Sequence, residues 1–160
     1  MTPHAHGQHL VHIQLDEKTL VRRKPEVEHE RAVAIYDLLE GNYFAPVGDY
    51  IGPYRLHLGI EENRMCFDVH SQDGMPLCKV QLPLKPFKTI VRDYFLVCET
   101  YYTAIKKASP SKIEAIDMGR RGLHDEGSEL LRERLSGKID IDFDTARRLF
   151  TLVCVLHIRG

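Results

Sequence analysis

Hydrophobic and polar residues alternate along three neighbouring stretches, 54–60, 64–70 and 77–82, and this alternation predicts three strands. Asp73-Gly74 lies between the second and third stretches and is typical of a tight hairpin turn. Glu62-Asn63 occupies the corresponding place between the first and second. Hairpins centred on these turns place apolar residues on one face of all three strands, and a slip of one residue would mix the two faces. The predicted apolar pairs are Leu56–Val69, Leu58–Phe67, Ile60–Met65, Phe67–Val80 and Val69–Cys78.

The rest of the chain is predicted to hold one more strand and four or five helices. The strand covers 10–15, and helices cover 25–40, 87–107 and 145–158, with a further helical region from Pro110 to Gly137. Residues 151–158 could also form a buried strand, but the unbroken lead-in from Ala146 favours a helix. Segments 42–53 and 138–142 are predicted connectors.

This order, a strand, a helix, three strands and then three or four helices, predicts an α+β fold. We expect an antiparallel three- to four-stranded sheet with helices packed on one of its faces. A chain of 160 residues is expected to form a single domain over 1–160, with residues 1–8 as a flexible tail.

The helical region contains the most unusual segment of the chain, 113–135. As one helix, its apolar stripe would include Arg120, Gly127 and Arg134, and each of its three glycines would cost about 1 kcal/mol relative to alanine. A break near 119–124 avoids this cost, so the sequence predicts a helix, a turn and a second helix. The turn would present Arg120, Arg121 and His124 beside the start of the second helix, where free N–H groups attract anions.

The leading candidates for a ligand or partner site lie in this turn, with support from His29 and Arg31. They are Arg120, Arg121, His124, Asp125, Glu126 and Glu129. A structural role is the alternative, since the acids would repel an anion and complement the helix dipole. In that case the arginines pair with the acids, or the segment forms a subunit contact.

The polar face of the predicted sheet supplies a second, weaker candidate. The hairpin registers place His57 opposite Asp68, and Asp68 opposite Lys79. Such a row can do acid–base chemistry, because the carboxylate would raise the basicity of the imidazole. A solvated face with paired opposite charges has the same sequence pattern.

Composition narrows the class of protein. The formal net charge is −1, from 22 basic and 23 acidic residues, which argues against a dedicated nucleic-acid-binding protein. The four cysteines have no CxxC spacing, so reduced thiols are expected. His4, His6, His9 and His12 are irregularly spaced without neighbouring acids, and we predict no metal site and no cofactor.

Location is also predicted from the sequence. The start of the chain lacks a basic, apolar export signal, and the apolar run 152–156 is too short to cross a membrane. We therefore expect a cytoplasmic protein that does not enter a membrane.

Long motifs resemble those of the uncharacterised protein family 0262, small proteins of alphaproteobacteria. They are PEVEHERAVAIYDLLE at 25–40, GPYRLHL at 52–58, IEAIDMGRRGLHDEGSELLRERL at 113–135 and DFDTARRLFTL at 142–152. The resemblance covers nearly everything after Leu10, whereas the histidine-rich start departs from it. It implies a bacterial cytoplasmic origin and supplies no activity, catalytic residue or cofactor.

Function is therefore predicted from the residues alone. The first hypothesis is a non-catalytic binding or regulatory protein that recognises an unknown protein partner or a small anionic ligand through 120–129. The alternative is a small enzyme acting on a phosphorylated or carboxylated metabolite, with Arg120 and Arg121 holding the anion and His124 as acid or base. A third hypothesis is a homo-oligomer formed through the apolar C-terminal helix.

Overall fold

The structure of the protein is a computed structural model that describes residues 7–16 and 24–157. Strands and helices follow one another with short connections. The strands are β1 (Leu10–Leu15), β2 (Phe44–Pro46), β3 (Tyr54–Glu61), β4 (Arg64–Ser71), β5 (Pro76–Pro83) and β6 (Ile139–Ile141). The helices are α1 (Pro25–Glu40), α2 (Lys88–Lys107), α3 (Pro110–Leu135) and α4 (Phe143–His157), and a single 3-10 turn, Lys85–Phe87, leads into α2. The fold is α+β, as predicted.

The antiparallel meander β3–β4–β5 has the predicted registers. Leu58 pairs with Phe67, and Phe67 pairs with Val80 on the third strand. The apolar face is buried, because Leu56, Leu58, Phe67 and Val69 are fully inaccessible to solvent. Local alternation therefore specified both the strands and their pairing.

The sheet was predicted to be purely antiparallel, and this is wrong for β1, its first strand. The sheet order is β1-β3-β4-β5, and β1 pairs with β3 in parallel. Two parallel neighbours need a long crossover connection between them. Helix α1 lies between β1 and β3 in the chain and returns the chain to the end of the sheet where β1 began, so that β3 can run in the same direction. The predicted connectors contain β2 and β6, which pair with each other as a separate antiparallel ribbon.

The predicted break in the helical region is wrong, because α3 is one continuous helix of 26 residues. Gly119 and Gly122 stay in the helix with open space around them, whereas Gly127 lies directly against the ring of Phe150 on α4. Buried Leu131 and Leu135 anchor the helix in the core. Packing of α3 against both α2 and α4 outweighs the glycine cost, since tertiary contacts supply most of the stability of a protein helix.

The last helix is confirmed, and it forms the centre of the core. Leu149, Phe150, Leu152 and Val153 are completely buried within the chain. Asp142, one turn before Thr145, accepts the Thr145 N–H at 2.9 Å and caps the helix. The apolar side chains that suggested self-association through α4 are thus used inside the protomer.

The first described residues are tied to the fold, since the Gln8 carbonyl accepts a hydrogen bond from the Phe44 N–H at 2.9 Å. His4 and His6, part of the predicted tail, lie outside the described residues. No helix in the described parts of the chain has an apolar stretch of the length needed to cross a bilayer.

Candidate functional site

The polar face of the sheet carries the predicted cross-strand row, but its side chains pair differently. His57 is opposite Asp68 and Asp68 is opposite Lys79, as the registers predict. Asp68 contacts His70 at 3.3 Å, while His57 stacks on His70 with ring centroids 4.8 Å apart. Lys79 reaches diagonally to Glu61 at 3.4 Å. Lys79 is therefore paired with Glu61 and Asp68 lies against an imidazole, contacts that favour the solvated-face interpretation.

The candidates on α3 divide between two sides of the helix. One side of α3 lines a cleft against α1 and α4, and the candidates on this side are Arg120, Arg121, His124 and Asp125. Their spacing of one, three and four residues places them on the same side of a helix. Glu126 and Glu129 lie on another side, beside Ile90 and Leu130 of a separate groove. The structure thus brings together only part of the predicted set.

We call the first of these the arginine cleft, an open cavity of about 340 Å³ between α1, α3 and α4. From α4 it receives Arg147, Arg148 and Thr151, and from α1 it receives His29, Glu30, Val33, Ala34 and Asp37. Tyr94 of α2 forms part of its floor. His29 was predicted to assist the site and does line the cleft, whereas Arg31 lies outside the lining.

The two arginines of α3 are held by one carboxylate. Arg120 donates from Nε and Nη2 to Asp117 Oδ1 at 3.0 and 2.5 Å. Its guanidinium also lies 4.7 Å from the ring centroid of Tyr101, a cation–π arrangement. Arg121 contacts the other oxygen of Asp117 at 3.2 Å. Asp117 orients both side chains but offsets only one of their two charges.

The two arginines of α4 have weaker partners. Arg147 lies 3.7 Å from Asp125 and 3.9 Å from Asp144, distances too long for good hydrogen bonds. Arg148 donates from Nη1 to the Asp144 carbonyl at 3.0 Å. Its Nε is buried and has no hydrogen-bond acceptor among the residues that the structure describes. A buried donor without an acceptor is costly, and since Arg148 lines the cleft, a ligand bound there can supply the acceptor.

His124 lies at the bottom of the cleft and is held as a neutral imidazole. Its Nε2 is 2.7 Å from the Thr151 hydroxyl, and its ring packs 5.3 Å from both Tyr94 and Phe150. Burial, reinforced by the nearby Arg147, lowers the pKa of His124 to about 4, although Asp125 opposes the shift. Ser128, at 3.4 Å from Nδ1, completes the polar surroundings of the ring.

Among the residues that the structure describes, no group of three or more His, Cys, Asp or Glu side chains is arranged to hold a metal ion. His9 and His12, the described members of the N-terminal histidines, belong to no such group within 7–16 and 24–157.

Sequence reasoning missed Arg147 and Arg148 as site residues. They are an Arg-Arg pair within DTARRLF, the same doublet as Arg120-Arg121 on the preceding helix. The repeated doublet was visible in the sequence. That the two pairs share one cavity could not be predicted from the sequence, because it results from the packing of α3 against α4.

Comparisons with known proteins extend over almost the whole chain. A protein of Paramagnetospirillum magneticum is 70% identical over 97% of this chain and 99% of its own length. One from Rhodospirillum rubrum is 62% identical over 95% of this chain and 94% of its own length, and one from Rhodopseudomonas palustris is 59% identical over 94% and 93%. All three are named UPF0262 proteins.

No solved structure matches the chain significantly. The sequence pattern of the uncharacterised protein family UPF0262 matches residues 7–159. The chain therefore belongs to family UPF0262.

Proposed function

We propose that this is a cytoplasmic, non-catalytic binding protein whose arginine cleft holds the anionic group of a small ligand. The observation that carries the proposal is the convergence of two arginine pairs on one cavity, where the buried Nε–H of Arg148 has no acceptor within 7–16 and 24–157. Guanidinium groups bind carboxylate and phosphate oxygens through paired hydrogen bonds. A cavity of about 340 Å³ is at the small end of the range for metabolite sites, which favours a small molecule over an extended partner.

The chemistry of His124 favours binding over catalysis. An effective general acid or base has a pKa near the operating pH. The pKa of His124 is lowered to about 4 by burial and by Arg147, so the ring is neutral at pH 7 and holds no proton to donate easily. Its Nε2 is also engaged by Thr151. These contacts fit a ring that shapes the cleft floor.

The test is calorimetric titration with inorganic phosphate and with citrate, using the wild-type chain and the variants Arg148→Gln and Arg121→Gln. A hydrogen bond to a charged group contributes about 1.5–3 kcal/mol, so each variant should bind about tenfold more weakly or worse. Arg92→Gln is the matched control, because Arg92 is an exposed arginine paired with an aspartate on α2, away from the cleft. Equal binding by Arg148→Gln and Arg92→Gln would contradict the proposal, as would the failure of every ligand with a phosphate or carboxylate group to bind.

A further inference from the structure

The arginine cleft has walls of opposite charge. Its α3 and α4 side carries the two arginine pairs, while its α1 side carries Glu30 and Asp37. The acids of the arginine side are already engaged, since Asp125 lies 3.7 Å from Arg147. The acids of α1 therefore form a second charged surface within the same cavity.

The two walls do not neutralise each other across the gap. Glu30 accepts a hydrogen bond from the Tyr102 hydroxyl at 2.6 Å, so one of its oxygens is turned toward α2. Within the described parts of the chain, the carboxylate of Asp37 has no side-chain hydrogen bond or ion pair. No ion pair joins either acid to Arg120, Arg121, Arg147 or Arg148 in those parts. Opposite charges that line one cavity without contacting each other leave a gap for a ligand that satisfies both.

A strip of small apolar side chains separates the acids along α1. Val33 and Ala34 line the cavity between Glu30 and Asp37. The acids are seven residues apart, about two helical turns, so they mark the two ends of a single helix face. A ligand can thus place a cationic group against Asp37 and its carbon skeleton against Val33.

We infer that the ligand of the arginine cleft is a small zwitterion, a molecule with an ammonium group and a carboxylate or phosphate, such as an amino acid or an amino-alkyl phosphate. Its anion binds the arginine wall and its ammonium binds Asp37. A purely anionic ligand gains the first contact but is repelled by the acids of α1, and a purely cationic ligand is repelled by the arginines. This inference rests on the proposed anion-binding function and adds the chemical class of the ligand.

The experiment is a calorimetric titration with matched probes. The twenty common amino acids and O-phosphoethanolamine are screened first, and the tightest binder is compared with its N-acetylated form, which lacks the ammonium. For an amino acid, its primary amide, which lacks the carboxylate, is also measured. Loss of a hydrogen bond to a charged group should weaken binding about tenfold for each modified probe.

Variant Asp37→Asn identifies the ammonium contact. It should reduce affinity for the zwitterion about tenfold, whereas affinity for the N-acetylated probe should not fall and should rise slightly, because that probe loses no ammonium contact and is no longer repelled by Asp37. Asp49→Asn, an exposed aspartate in the loop after β2, is the control and should alter neither. A thermodynamic cycle of this kind separates a direct contact from a general effect on the fold.

The outcomes distinguish this inference from the function on which it rests. If phosphate or citrate binds in an Arg148-dependent manner while the zwitterion and its N-acetylated form bind equally, the zwitterion inference is wrong and the anion site stands. Equal losses for both probes in Asp37→Asn also refute it. If no anion and no zwitterion binds, both proposals fail.

Discussion

Replacement of Gly127 by alanine tests why α3 contains a glycine at its closest approach to α4. A Cβ at this position would lie within 2.6 Å of three ring carbons of Phe150. The ring cannot move aside easily, because Phe150 is fully buried and packs against Tyr94 and His124 at centroid distances of 6.2 and 5.3 Å. The substitution should therefore strain the α3–α4 contact.

The magnitude follows from two opposing effects. Alanine gains about 1 kcal/mol over glycine in a helix interior. Overpacking of a well-filled core costs about 1–3 kcal/mol, and this close approach belongs at the upper end of that range. The net expectation is a loss of about 2 kcal/mol, which lowers Tm by about 4–8 °C for a chain of this size.

Urea unfolding followed by far-UV circular dichroism measures this loss directly. Gly119→Ala and Gly122→Ala are matched controls on the same helix, because nothing lies within 4 Å of a Cβ at either position. Each control should raise the free energy of unfolding by about 0.5–1 kcal/mol. If Gly127→Ala is as stabilising as the controls, the steric explanation for Gly127 is refuted.

Three further predictions concern polar side chains that hold parts of the fold together. His124 has a folded-state pKa of about 4, below its ordinary 6.5. The neutral ring therefore contributes fully to the free energy of unfolding above about pH 6.5, and this contribution is lost as the pH falls toward 4. His124→Gln should remove up to about 3 kcal/mol of this pH dependence in urea titrations, and an unchanged profile would disprove the assignment. Asn42→Ala should cost about 2–3 kcal/mol in urea unfolding, because its amide bonds both backbone groups of Leu10 at 2.7 and 3.1 Å; a loss below 1 kcal/mol would count against it. Asp142→Ala should reduce the free energy of unfolding by about 1 kcal/mol and so lower Tm, because the Thr145 N–H loses its cap. An unaltered Tm would exclude that role.

The sequence alone determined the local elements and the register of the meander. Strand pairing such as Leu58 with Phe67 follows from a side-chain period of two, which admits only one register with a uniform apolar face. The signal for the start of α3 is equally local, because the helix is capped by Ser109 and begins at the next residue, Pro110. Signals of this kind lie within a few residues of the structure they specify.

Only the tertiary structure decided the direction of β1, the continuity of α3 and the composition of the arginine cleft. β1 pairs with β3, some forty residues further along the chain, and α3 stays helical through Gly127 because Phe150 of another helix packs there. The cleft joins Arg121 to Arg148 and places Asp37 opposite them. Such outcomes depend on contacts between residues distant in sequence, whose energies outweigh local propensity and leave no periodic trace in the chain.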